Sequence, residues 1–351
     1  MENKDLDLKL LTKTLFELMG FSTHFEVKLR SKSYVQTYKT HDISDIDVYG
    51  YKFLGDLSLN TVGAECKSGE SNALEEAFKF MGIVDYFNIG TGYLMKSKIH
   101  QNAREISAKN NFRCFSEAEL RKLLLGFSID IDKNIKIEHA KFRRHQDSMK
   151  ALKIANEKLH DYINLDYWNK ENWRNIHNIV HLIHRKEAQL SLFSKEVSEV
   201  SIKHAYYYVL ELFSFSLLKN ISNAMMINYS DVDNSIVISL FGGAESLHER
   251  RRIADMVNIA TGESLSLEPE WQSAFVTISS RLALSPFAAA QIPTLIQDIR
   301  ENCFYDKKIS ITSATLKKYP DLTRKFAQDI VQFLVLASGV DTTVYSELMA
   351  L

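Results

Sequence analysis

Asp45-Ile46-Asp47-Val48-Tyr49-Gly50, followed after a short gap by Ala64-Glu65-Cys66-Lys67, is the stretch on which the fold turns. Both segments read as β-strands, with a Leu54-Gly55-Asp56 turn signal between them. Successive side chains of a strand point to opposite faces, so Glu65 and Lys67 share one face and Ala64 and Cys66 the other. Pairing of the two strands brings Asp47 beside Glu65. Two carboxylates and an ammonium then converge at one sheet edge. Two hard oxygen ligands with a lysine nearby suit Mg²⁺ and a water that must lose a proton, the minimum equipment for cutting a phosphodiester.

Working outward, an apolar helix over 6–19 carries Glu17 and precedes strands over 25–30, 45–53 and 61–67. A helix over 73–87, a strand over 92–97, a helix over 101–109 and a short strand over 112–115 follow. The D…(D/E)-x-K spacing in this helix–three-strand–helix–strand order resembles the PD-(D/E)xK, or restriction-endonuclease-like, nuclease superfamily. Within it, Phe78-Lys79-Phe80-Met81-Gly82, Gly92-Tyr93-Leu94-Met95-Lys96-Ser97 and Ala103-Arg104-Glu105-Ile106-Ser107-Ala108 resemble the Mrr-like type IV restriction nucleases, with 117–125 as the closing helix. The resemblance covers the first third of the chain. It departs at one point: no Pro precedes the first Asp, whose neighbours are Ser44 and Ile46. That Pro is dispensable for the chemistry.

The resemblance implies Asp47, Glu65 and Lys67 as catalytic residues, with Asp47 preferred over Asp45 because Asp-Val-Tyr-Gly fits the family's pattern. Asp47, Glu65 and the Cys66 backbone carbonyl would hold Mg²⁺ or Mn²⁺, with Glu17 or Asp45 as a further ligand. Each residue also has a plain structural reading. Asp45 and Asp47 share a strand face and could be solvated there, although Asp is depleted in strands. Glu65 and Lys67 could be a surface ion pair of little consequence. Glu17 stands open between a solvated helix position and a third carboxylate of the metal site. The Cys66 thiol points inward, where it behaves as a small hydrophobe.

The 351 residues exceed one average domain and imply two. With 43 Lys+Arg against 44 Asp+Glu there is no global basic signature, so a nuclease must concentrate positive charge locally. Three scattered cysteines, without C-x-x-C spacing, argue against a zinc site or a disulfide framework and favour a reducing compartment. The charged opening Met1-Glu2-Asn3-Lys4-Asp5 is no signal peptide, and no run suits a bilayer; a cytoplasmic protein without membrane contact is expected. The expected organisation is an α/β nuclease-like domain over 1–128 with a mixed central sheet, a basic connecting helix over 129–158, and a mainly helical recognition or assembly domain over 159–351.

The basic segment 136–158 offers Lys141, Arg143, Arg144 and Lys150 as phosphate contacts, against the plain reading of a solvated linker helix. The apolar-aromatic run 209–218 belongs to a helix that must bury its faces, in its own core or against another copy, which makes a homo-oligomer an expectation. His177, His181 and His184 share a helical face, but no Glu adjoins the first, so a polar face is preferred to a metal site. Ile236-Val237-Ile238 reads as a strand leading into a turn at Gly242-Gly243 and a helix carrying Arg250, Arg251 and Arg252, a second candidate phosphate patch.

Two functions compete. One is a metal-dependent endonuclease acting on DNA, with the resemblance implying bacterial defence or restriction and admitting a partner protein of a defence system. The alternative is a non-catalytic nucleic-acid-binding or assembly protein that keeps a nuclease-like fold.

Overall fold

The structure, a computed structural model, describes residues 5–32, 40–69, 72–110, 112–183, 198–262, 264, 266–305 and 308–350, and of residues 31, 32, 40, 41, 313 and 314 the backbone only. As the patterning predicts, an N-terminal α/β part with a mixed sheet precedes a mainly helical remainder. Two compact units divide the chain. The first holds Met1–Lys52, Leu59–Arg144 and Asn164–Asn169; the second holds Phe53–Ser58, His145–Ile163 and Lys170–Leu351.

In the first unit, β1 (Ser22–Lys32), β2 (Thr40–Phe53), β3 (Leu59–Lys67), β4 (Thr91–Lys96) and β5 (Phe112–Ser116) form one sheet in that order. β1 is antiparallel to β2, whereas β4 is parallel to β3 and to β5. Parallel neighbours need crossovers, and the chain supplies them as helices α2 (Ala73–Tyr86) and α3 (Gln101–Ala108). Helix α1 (Leu6–Leu18) opens the unit, and α4 (Glu117–Gly126) closes it through a Ser116/Glu119 capping box.

Period-two alternation separates two cores. Val62, Ala64 and Cys66 of β3 and Tyr93 and Met95 of β4 pack with Leu8, Leu11, Leu15 and Phe16 of α1 and with Leu120 and Leu124 of α4. Leu94 of β4 packs on the opposite face with Ala77 and Phe80 of α2 and with Phe112. Gly92 is required between these layers, because a Cβ there would lie 2.5 Å from the Phe112 ring and 2.7 Å from Val84. At the sheet edge, the Asn169 side chain accepts from Arg30 N at 2.7 Å and donates to Lys28 O at 3.0 Å. Those two bonds blunt part of β1's open edge and tie Asn164–Asn169 to this unit.

Helix α5 (Ile131–Ala155) contains the unit division, so the expected connecting region 129–158 is shared between the two units. It ends one residue before Asn156, whose side chain caps α6 (Glu157–Asp161) by accepting from Leu159 N. The second unit continues with α7 (Asn172–Leu182), α8 (Glu199–Ile227), α9 (Val232–Leu240), α10 (Ala244–Thr261) and α11 (Gln272–Ala283). Then come α12 (Pro286–Ala289), α13 (Ile292–Asn302), α14 (Ser313–Lys317), α15 (Asp321–Ser338) and α16 (Ser346–Met349).

Helix α8 is the axis of this unit, packed by α7, α9, α11 and α13. Every residue over 209–218 is buried, including Glu211, which Arg300 meets at 3.0 Å. The run therefore leaves no face for another copy, and the feature that suggested an oligomer is consumed inside the unit. The strand expected at 236–238 is a correction: these residues lie in α9, capped by Asp231 and packed on α8. Packing outweighs the β-preference of Ile-Val-Ile. The glycine turn is present, with φ of +81° at Gly242 and +123° at Gly243. Among the described residues no helix is long and apolar enough to cross a membrane.

Candidate active site

The two strands bring Asp47 and Glu65 together, in different surroundings. Asp47 is buried at 3% exposure. Its Oδ1 lies 2.7 Å from Lys9 Nζ of α1, and its Oδ2 accepts the Cys66 N–H at 2.7 Å. Lys9 also meets Glu26 Oε1 at 3.0 Å. Burial alone would lower the Lys9 pKa, but Asp47 and Glu26 reverse this and hold the ammonium above the usual lysine range.

Glu65 is half-buried and paired with Lys67 Nζ at 2.8 Å. Burial, reinforced by the Asp47 charge, pushes its carboxyl up to about 7 against the pull of Lys67. Lys67 is raised as well: burial alone would lower its pKa, but Glu65, Asp47 and Asp45 outweigh it and keep it an ammonium. The Cys66 side chain points into the core, 3.6 Å from Thr12 Oγ1, and burial raises the thiol pKa well above the ordinary value, so it is no nucleophile.

Two residues that the sequence reading did not single out complete the site. One is Lys9. The other is Asp5, whose Oδ1 accepts the Ser68 N–H at 2.6 Å. Burial works against the Asp5 charge, yet the Ser68 bonds and the Lys67 and Lys9 charges hold its carboxyl below the usual range. Lys96, the register partner of Lys67, is buried and neutralised by Glu76 at 2.7 Å.

Of the other candidates, Asp45 is exposed but close enough for its charge to act on Glu65 and Lys67. Glu17 is not brought to the site. It pairs with Lys13 at 2.7 Å and accepts from Thr23 at 3.0 Å. Eight residues separate it from Lys9 on α1, about 12 Å of helix. Lys141 is held by Glu138 at 2.8 Å and Arg144 is half-buried, whereas Arg143 is exposed. Lys150, in the second unit, is exposed and pairs with Asp147 at 3.2 Å. These four therefore do not form one free basic face.

His177 is an aromatic-packed residue. Its Nε2 lies 3.2 Å from Leu240 O, its ring packs on Trp271, and burial lowers its pKa. His181 is exposed, and His184 lies outside the described residues. Arg250 lies over the Phe241 ring, Arg251 pairs with Glu268 and Arg252 with Glu249, which neutralises much of that patch.

The donor set fits a hard divalent cation. Asp5, Glu26, Asp45, Asp47 and Glu65 set five carboxyls against Lys9 and Lys67 in one electrostatic neighbourhood. Each engaged oxygen of Asp47 retains a second lone pair. Cation binding must displace the proton that Glu65 carries near neutrality. Affinity for Mg²⁺ or Mn²⁺ is therefore expected to climb as pH approaches about 7 and to level off above it. Calorimetry in buffers of different ionisation enthalpy should detect proton release below that point; a pH-independent affinity would refute the assignment of this carboxyl.

Compared with family models, with curated proteins and with solved structures, the chain matches none.

Proposed function

We propose that the chain is a metal-dependent endonuclease that hydrolyses DNA phosphodiesters at Asp47, Glu65 and Lys67, in a restriction-endonuclease-like N-terminal domain. The observation that carries this reading is the convergence of Asp47 and Glu65 on neighbouring strands, close enough for the Asp47 charge to perturb Glu65, with Lys67 2.8 Å from Glu65. A divalent cation held by Asp47, Glu65 and the Cys66 carbonyl would supply Lewis acidity at the scissile phosphate and lower the pKa of a water. Lys67, kept as an ammonium, cannot be the base; it donates to the attacking water or a phosphate oxygen and balances charge as phosphorus becomes five-coordinate. The Mrr-like branch and a setting in bacterial defence rest on the sequence resemblance alone.

Plasmid incubated with Mg²⁺ or Mn²⁺ tests the reading directly. Cleavage should vanish with chelator, and Lys67→Ala should lower single-turnover cleavage on the order of a hundredfold while leaving plasmid affinity nearly unchanged. Weaker binding with intact cleavage would make Lys67 a phosphate anchor instead.

DNA contact is assigned to the exposed Lys136 and Arg143 of α5 in the first unit. Reversing both to Glu should weaken DNA binding and flatten its salt dependence by up to about two in log–log slope, through lost counterion release. An unchanged slope would remove this surface. A non-catalytic binding protein is the second reading, favoured by one observation: both Asp47 oxygens are already engaged within the fold. Cation-independent DNA binding without any cleavage would establish it.

A further inference from the structure

We propose that Lys9 is a positioning residue that exchanges Asp47 for Glu26 when a divalent cation enters the Asp47–Glu65 pair. The inference deepens the nuclease reading and rests on it. Its first basis is geometric: one buried ammonium lies 2.7 Å from Asp47 Oδ1 and 3.0 Å from Glu26 Oε1. The two carboxylates differ in surroundings, since the Asp47 side chain is 4% exposed and that of Glu26 is 49% exposed. A cation on Asp47 and the Lys9 ammonium compete for one oxygen, and like charges that close repel. Glu26 gives the ammonium a second counter-ion without sending it into water.

The second basis is the backbone. Glu26 has φ of +51°, the left-handed region, within a β-strand. That conformation is sterically unfavourable for a non-glycine residue and persists only where its surroundings impose it. Period-two alternation fails at the same place. Phe25 and its partner Val48 pack against one core, while Val27 and its partner Ile46 pack in the other. Glu26 and Asp47 lie between these pairs, so the fold departs from regular strand geometry where it sets the two carboxylates against Lys9.

The test is calorimetric titration of the full chain with Mn²⁺ at about pH 8, above the Glu65 titration. Lys9→Met should tighten Mn²⁺ binding about tenfold, because the competitor is gone. Glu26→Gln should weaken it about threefold or more, because the ammonium then stays on Asp47. In the Lys9→Met background, Glu26→Gln should change nothing. Unchanged or weaker affinity in Lys9→Met overturns the proposal, as does an equal effect of Glu26→Gln with and without Lys9, which would make Glu26 a ligand. If Lys9→Met does not fold, Glu26→Gln decides alone, on an exposed side chain, and unchanged affinity there overturns the exchange. Wild-type protein that binds no Mn²⁺ overturns both this proposal and the nuclease reading. Binding that is lost in Glu65→Gln but not tightened in Lys9→Met overturns this one only.

Discussion

Glu65→Gln is expected to lose plasmid cleavage by on the order of a thousandfold while making the cation-free protein more stable at alkaline pH. The two effects share one cause. Burial and the neighbouring Asp47 charge push the Glu65 carboxyl up to about 7, so the folded chain holds a proton there that the unfolded chain releases near the ordinary value of 4.5. For a carboxyl raised in this way, the stability it contributes is complete below the unfolded value and is lost as pH rises through the folded one. At about 1.4 kcal/mol per pKa unit, wild-type protein in chelator should lose up to about 3 kcal/mol across that window. Gln has nearly the same volume and no charge, so it should abolish this pH dependence. It should equally abolish cation binding and, with it, cleavage. Denaturant titrations at about pH 5 and pH 8 beside single-turnover cleavage make the comparison. Retained cleavage would sink the site assignment, and an unchanged pH dependence of stability would sink the account of Glu65.

The order of elements through α4 is readable in the sequence because the periods are strong there. Alternation in Ala64-Glu65-Cys66-Lys67 places Cys66 in the core beneath α1 and Glu65 on the other face, as the structure has them, although Glu65 is half-buried there. Lys9 is not readable in that way. In Leu6-Asp7-Leu8-Lys9-Leu10-Leu11 a lysine reads as a solvated position, yet α1 is buried all round over Leu8, Lys9, Leu10, Leu11, Thr12, Lys13, Thr14, Leu15 and Phe16. Its two lysines are compatible with that burial because carboxylates meet them: Asp47 and Glu26, both distant in sequence, for Lys9, and Glu17 together with the distant Glu138 for Lys13. Lysines four residues apart in a leucine-rich helix without a polar face were the available signal. The 236–238 run was lost to the same kind of long-range effect, since packing on α8 cannot be read from three residues.

Burial of the Lys9–Asp47 pair also changes what an alanine at position 47 measures. From the strand pattern alone, Asp47→Ala would be a clean test of chemistry in an undisturbed fold. In the structure it strips a buried ammonium of its nearest counter-ion and the Cys66 N–H of its acceptor. Breaking one side of a buried pair costs about 3 kcal/mol or more, moderated here by Glu26 at 3.0 Å from the same ammonium. A midpoint lower by about 4 °C is the expected consequence for 351 residues that unfold together. Asp47→Asn should cost less, because its amide oxygen can still accept from Cys66. Adding Lys9→Met to Asp47→Ala should recover much of the loss, since removing both members of a buried pair leaves no charge uncompensated. Thermal melts of the four proteins in chelator decide it. A midpoint for Asp47→Ala indistinguishable from wild type would show that Lys9 does not depend on Asp47. Recovery by the second substitution would establish the pair as structural, and then loss of cleavage in Asp47→Asn, not in Asp47→Ala, is what speaks for the chemistry.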